Sequence, residues 1–315
     1  MKHSSRIATT ALLVGATAIA FAPIFVRLSE LGPSATAFHR LFLALPALWL
    51  WNVLDNAPAR TTPPPARCEY WPFVVAGLFF AGDLAVWHWS IKLTSVANAT
   101  LLANFAPIFV ALAGWLLFHE RFTAVFLAGM TLALAGAIVL MWQSLSLSHD
   151  HLVGDGLGIL TAVFYAGYIL SVARLRARYP TAKIMAWSGM VTCAALLPVA
   201  MLSGESLIAM SLKGWFVLLA LALISHAAGQ SLIAYALAHL PAAFGSVGLL
   251  WQPVAAAGLA WVILNEPLGA WQLGGGALVL AGIYLARRGS ATIGQASLEP
   301  TPGSAAKPRD SAETV

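Results

Sequence analysis

Few residues in this chain can do chemistry, and most of those lie inside long apolar stretches. Arg40 and Asp83 are the two charges set deepest. Trp87 follows Asp83 by one helical turn and falls on the same face. His226 and Gln230 share a face by the same i,i+4 spacing. Asn104 and Gln252 stand beside Pro107 and Pro253. Tyr165 and Trp251 fall near the middle of their stretches. Trp normally marks a membrane interface, so Trp251 is out of place. Ionisable groups inside a membrane are costly and are functional candidates by default. Arg40 and Asp83 each sit about 10–14 Å from one end of their stretch, at 1.5 Å of rise per residue. Two roles stay open for them. They form a static pair that neutralises two costly charges. Or they gate, with Asp83 taking a proton or Arg40 binding a substrate carboxylate. For each polar residue singly, structural hydrogen bonding competes with ligand binding. Together they describe a cavity with aromatic walls and a few polar groups, suited to a zwitterionic or aromatic metabolite.

The elements that position these residues follow from composition. The chain is 60% hydrophobic and 9% charged, with mean hydropathy +0.81. A soluble domain carries about 25% charged residues. Lipid must therefore be the solvent. Spanning a bilayer takes about 20 apolar residues in a helix. Ten such stretches are expected: 7–28, 34–53, 72–92, 96–118, 123–142, 153–174, 183–203, 213–238, 242–264 and 269–286. No alternating ten-residue pattern suggests a barrel.

Basic residues set the topology. With the N-terminus inside, the inside segments hold thirteen Lys and Arg and the outside segments three, Arg40 excluded. Both termini are expected in the cytoplasm and the chain in the inner (plasma) membrane. The pI of about 9.5 reflects this bias, and nucleic acid is not expected as a partner. Lys2 and Arg6 ahead of an apolar run ending Ala18-Ile19-Ala20 also fit a cleavable leader. The even span count favours a first membrane helix instead. His149, Asp150 and His151 are metal-ligand types, but a solvated loop is expected there. No metal and no cofactor are expected.

The sequence repeats. Pro107 and Pro253 are 146 residues apart, as are Glu120 and Glu266, Trp115 and Trp261, Gly129 and Gly275, and Gly136 and Gly282. The expectation is an all-α polytopic membrane protein whose ten transmembrane helices form two inverted five-helix repeats. Residues 1–142 are the first repeat, 143–152 an outside linker, 153–288 the second repeat, and 289–315 a disordered cytoplasmic tail. An odd number of helices per repeat forces opposite orientations, a common plan of secondary transporters. The prolines each remove a helical hydrogen bond and mark candidate hinges or static kinks. Glu120 and Glu266 precede the fifth and tenth helices and are candidate helix caps, stabilised by the macrodipole.

These segments resemble the drug/metabolite transporter superfamily in its EamA branch. The resemblance rests on IKLTSVANATLLANFAPIFVALAGWLLFHERFTAVFLAGMTLALAGAIVL and its second copy, YALAHLPAAFGSVGLLWQPVAAAGLAWVILNEPLGAWQLGGGALVLAGIYL. The opening IAFAPIFVRLSELGPSATAFHRLFLALPALWL also resembles that family's first two helices, with Arg40 at its arginine. Asp83 departs from the family pattern. The resemblance implies ten helices, both termini inside, a central cavity, and export of small metabolites, often amino acids. It also implies that helices 123–142 and 269–286 are peripheral, with small-residue faces for packing or for a homodimer. The function expected is therefore a secondary transporter, a probable exporter, with proton coupling an open question. The alternative is a polytopic membrane enzyme acting on lipid-linked substrates. No zinc-protease motif, phosphate loop or nucleophile elbow supports it, and an enzyme is not expected.

Overall fold

The computed structural model describes residues 2–55, 70–145, 149–264 and 268–296. The described residues are helical with short turns and contain no strand. The first span is α1 (Lys2–Ala20) with α2 (Ala22–Leu28). The second is α3 (Pro33–Phe42) with α4 (Leu45–Leu54), and the third is α5 (Trp71–Leu93). The fourth is α6 (Val96–Ala103) with α7 (Ala106–Phe118). The fifth is α8 (Ala124–Met141), the sixth α9 (Leu152–Arg176) and the seventh α10 (Thr181–Leu202). The eighth joins α11 (Leu212–Ala220), a π-helical segment (Leu221–Gln230) and α12 (Ser231–Ala236). The ninth is α13 (Ala242–Gly248) with α14 (Trp251–Leu264), and α15 (Ala270–Ala296) completes the bundle.

Among the described residues, nine helical stretches are long and apolar enough to cross a bilayer. The tenth expected span lies within α15, where Gln272, a glycine triplet and Arg287–Arg288 dilute the apolar character. Large apolar side chains such as Leu202, Met210 and Phe216 stand 87%, 91% and 77% exposed. Lipid is the solvent that accommodates such a surface. The tail expected from 289 starts later: α15 runs on to Ala296. No proline interrupts it before Pro300. Residues 297–315, and Glu266 with its expected cap, lie outside the described residues.

Prolines and hydroxyls start the helices. Pro23, Pro33, Pro46, Pro72 and Pro107 occupy first-turn positions, where a missing N–H costs nothing. Ser95, Thr123 and Ser211 cap α6, α8 and α11 with their side-chain oxygens. The side-chain cap of α8 is thus Thr123, which accepts from Phe126 N at 3.1 Å. Glu120, expected there, turns back instead: a Cβ added at Gly114 would meet its Oε2 at 2.9 Å. The reason is local. His119 ends α7 in the left-handed conformation (φ 53°), and this reversal carries Glu120 over the preceding helix.

Four of the prolines also break spans. The ring clashes with the carbonyl four residues back, so the chain tightens just ahead of it. Before Pro107, Asn104 N donates to Thr100 O and Leu101 O at 3.1 and 3.0 Å, and Phe105 N donates to Leu102 O at 3.1 Å. Before Pro253, Leu250 N donates to Val247 O at 3.1 Å. The bonds to Leu101 O, Leu102 O and Val247 O are i→i+3 and form one tight turn at each break. The first span breaks at Phe21 before Pro23, and the second at Leu43–Ala44 before Pro46. Pro198 sits inside α10 without breaking it.

α8 and α15 pack antiparallel through small residues. A Cβ at Gly129 would strike the backbone of Gly282 and Ala286, and one at Gly136 that of Gly275 and Val279. A Cβ at Gly275 would strike Gly136 and Leu140, and one at Gly282 would strike Ala133. The glycine faces expected to serve packing or a homodimer therefore meet each other within the chain. The contact set also has a symmetry. Advancing or retreating each residue by 146 turns Gly129–Ala286 into Gly275–Leu140, and Gly136–Val279 into Gly282–Ala133.

Candidate functional site

The broken spans surround a cavity with an empty volume of about 770 Å³ including its mouth. Its wall takes Ile19 and Pro23 from the α1–α2 break, Asn104 from the α6–α7 break and Pro253 from the start of α14. Irregular backbone at membrane depth is tolerated where it lines a cavity. Arg40 comes from α3, Asp83 and Trp87 from α5, Tyr165 from α9, Gln230 from the end of the π-helical segment and Gln252 from α14.

The two charges share this cavity. Arg40 is 6% and Asp83 9% exposed. They feel each other's field without closing a contact pair, and Arg40 Nε is buried with no partner. The expected ion pair is therefore a facing pair with room between. Buried donors are almost always satisfied, so an unpartnered guanidinium nitrogen beside a cavity is a place for an acceptor. Tyr165 lies near Gln230 and Gln252, and Tyr168 near Gln230, while Gln230 Nε2 is buried with no partner. Asn104 uses its amide structurally, Nδ2 donating to Thr100 O at 2.9 Å across the helix break. Thr100 Oγ1 is buried without a partner.

Not every candidate reaches the cavity. Trp251 turns towards α1, where its Nε1 donates to Thr17 Oγ1 at 2.8 Å. That bond explains a tryptophan at mid-depth. His226 is 1% exposed and lies under Phe80, ring centroids 5.4 Å apart. Neither of its ring nitrogens has a partner. Phe80 also stacks on Tyr168 at 4.5 Å, and the Tyr168 hydroxyl donates to Met185 Sδ at 3.8 Å. Phe80, Tyr168 and His226 form a packed floor. Pro107 is buried outside the cavity, unlike Pro253.

Sequence reasoning missed Thr100, Thr161 and Phe80 in the lining. Thr161 also satisfies its hydroxyl on Leu157 O at 3.0 Å, as helical threonines commonly do, so nothing marks it in the sequence. It also missed the contacts that tie the loops together at the end where the sixth span begins. Glu30 accepts from Met210 N at 2.9 Å, from Ser211 N at 3.1 Å and from the Ser211 hydroxyl. Glu205 accepts from Ala35 N at 2.9 Å and pairs with Lys92. Their one sequence signal is an acid a few residues ahead of a helix start.

Nine apolar membrane-length helical stretches among the described residues, with a cavity walled by broken helices and two facing charges, describe a polytopic membrane protein built for a small molecule. The comparisons name its class. The model of the EamA-like transporter family matches residues 6–142 and again 152–288, and the chain belongs to that family. An uncharacterized transporter of Archaeoglobus fulgidus is 26% identical over 88% of this chain and 96% of its own length. A probable terminal-alkyne amino-acid exporter of Streptantibioticus cattleyicolor is 28% identical over 96% of this chain and 99% of its own. A pseudopaline exporter of Pseudomonas aeruginosa is 28% identical over 68% of this chain and 74% of its own. A solved crystal structure superposes with a TM-score of 0.73 at 21% identity, covering 90% of this chain and 98% of that one. It shows the same fold.

Proposed function

We propose that this chain exports small zwitterionic metabolites, amino acids or close relatives, across the inner membrane by alternating access between two inverted five-helix halves. Both termini face the cytoplasm, on the thirteen-to-three bias of Lys and Arg. The halves are residues 1–142 and 153–288, and the double family match supports that division. Pro107 and Pro253 act as bending points.

The carrying observation is the facing pair in one cavity. Arg40, with its unpartnered Nε, receives a carboxylate. Asp83 faces the ammonium group or carries the coupling proton. Trp87, Phe80 and Tyr165 offer aromatic walls, while Gln230 and Gln252 fix orientation. The name of the Streptantibioticus relative, a probable terminal-alkyne amino-acid exporter, supports this substrate class. A zwitterion fits better than a single ion because each end meets an opposite buried charge.

The test is uptake of labelled amino acids into liposomes carrying the protein, with and without a pH gradient, for wild type and Asp83→Asn. Saturable gradient-driven uptake that loses its drive in Asp83→Asn supports proton coupling at Asp83. Gradient-independent uptake retained by Asp83→Asn leaves a facilitator. No uptake of any compound sinks the substrate class.

A further inference from the structure

The repeat can be read residue by residue. The two family matches begin at 6 and 152 and end at 142 and 288, so both are displaced by 146. The copies align without a gap from about Gly77 to Leu140, and the same displacement is taken for the residues before Gly77. The α8–α15 contacts exchange onto themselves under the same displacement. In alternating access between inverted repeats, each half takes up the arrangement of the other. Residues that line the cavity then leave it, and their partners 146 positions away enter. This step rests on the reading given above.

Eighteen residues line the present cavity. Four of them are partners of one another: Ile19 with Tyr165, and Leu84 with Gln230. The remaining fourteen have partners that do not line it. All fourteen of those partners are buried. They include Tyr168, partner of Ala22; His226, partner of Phe80; Ser246, partner of Thr100; and Pro107, partner of Pro253. They lie within α1, near the starts of α7 and α10, around the end of α13 and in the later parts of α9 and the eighth span. A packed floor of this composition is what a closed gate requires.

On the topology proposed above, the lining residues other than Gln230 fall at mid-depth or in the outer parts of their spans. The present cavity is therefore the outward one, and we infer that His226 and Tyr168 are ligand-facing residues of the opposite, inward-open state, hidden in the present one. Three observations converge on this. Both His226 ring nitrogens are buried without a partner here, which an apolar packing role leaves unexplained. His226 belongs to a π-helical segment, a geometry frequent at functional sites. And His226 stacks directly on its own repeat partner, Phe80. The exchange that draws Phe80 out of the cavity brings His226 in.

The chemistry presented to the ligand then differs between the two faces. Arg40 and Asp83 have Ala186 and Gly229 as partners, so the charges face the ligand in one state only. The inward-open site carries neutral or titratable donors from His226, Tyr168 and Ser246. Tyr165 and Gln230 line both cavities and stay with the ligand throughout.

The test is side-specific thiol labelling with a charged, membrane-impermeant methanethiosulfonate. Single cysteines are placed in a Cys68→Ser, Cys193→Ala background, in right-side-out and inside-out membrane vesicles. His226→Cys and Tyr168→Cys should label from the cytoplasmic side alone, and Asp83→Cys from the outside alone. Tyr165→Cys should label from both. Ser225→Cys, next to His226 but bonded here to Ala18 O at 3.0 Å, should label from neither side, because its partner Phe79 lines no cavity. Labelling rates should differ between the two sides by at least about tenfold. Two-sided labelling at 165 with none at either 168 or 226 overturns the inference and leaves alternating access standing. Labelling at 165 from one side only overturns alternating access itself. Two positions, 168 and 226, guard against one variant that fails to fold.

Discussion

Arg40 sets the sharpest expectation at the scale of single residues. A hydrogen bond to a charged group is worth about 1.5–3 kcal/mol, and 1.4 kcal/mol is a factor of ten in binding. Arg40→Gln should weaken competition by amino acids roughly 10–100-fold. Competition by the matching amines, which lack the carboxylate, should change little. Equal loss for both would show that Arg40 holds the cavity's shape and does not read a carboxylate. The legibility of these residues follows the cost of burying them. Arg40 and Asp83 could be picked from the sequence because charge in lipid is rare and expensive. His226 and Gln230, put on one face by spacing, divide in the fold: Gln230 lines the cavity, while His226 lies under Phe80 in a π-helical segment. Trp251 misled, because a hydroxyl on another span, Thr17, satisfies its N–H. Thr100 and Thr161 were invisible, since a threonine hydroxyl bonds its own helix as readily as a ligand.

Elements carry a different kind of information. Nine spans among the described residues were legible almost to their ends, because the bilayer fixes a length and apolar runs reveal it. The breaks were legible as prolines. Their exact form, one tight turn before each ring, depends on which carbonyls are left over, and only the fold decides that. The Glu120 cap failed because the left-handed His119 was not legible: a positive φ at a residue other than glycine has no reliable sequence mark. The α8–α15 seam makes the prediction at this scale. Gly136→Leu and Gly282→Leu place side chains where the backbone of the facing helix already stands. Forcing volume into a packed contact costs about 1–3 kcal/mol. Both variants should melt lower than wild type in detergent. Gly156→Leu is the control, since a Cβ there meets nothing within 4 Å. Equal melting of all three would mean that the seam is not tight.

At the scale of the whole molecule, the two halves are tied together by loop carboxylates. Glu30, from the first half, holds the start of α11 in the second. Glu205, from the second half, holds Ala35 near the start of α3 and pairs with Lys92. Such reciprocal ties could not be read from sequence, because the partners lie some 170 to 180 positions apart. The Lys92 side chain is 37% exposed, so this pair is worth about 0.2–1 kcal/mol and weakens with salt. Glu30 responds to pH instead. The Ser211 hydroxyl holds its carboxyl below the ordinary carboxylate value, helped by the Ser211 and Met210 amides and the charge of Lys213, with burial opposing. A carboxylate with a lowered folded pKa stabilises fully above its unfolded pKa, about 4.3 for Glu. That stability is lost as pH falls through the lower folded value. The melting-temperature gap between wild type and Glu30→Gln should therefore stay constant from pH 8 to about 5 and close only below about 4. The gap should hardly change with salt, because most of the contact is short hydrogen bonds to a helix start. In the same scan, the coupling between Lys92→Gln and Glu205→Gln should shrink steadily as salt is raised. A gap that already closes at pH 6 would mean that Glu30 titrates high and does not hold α11. It would leave Glu205 as the tie between the halves at this face.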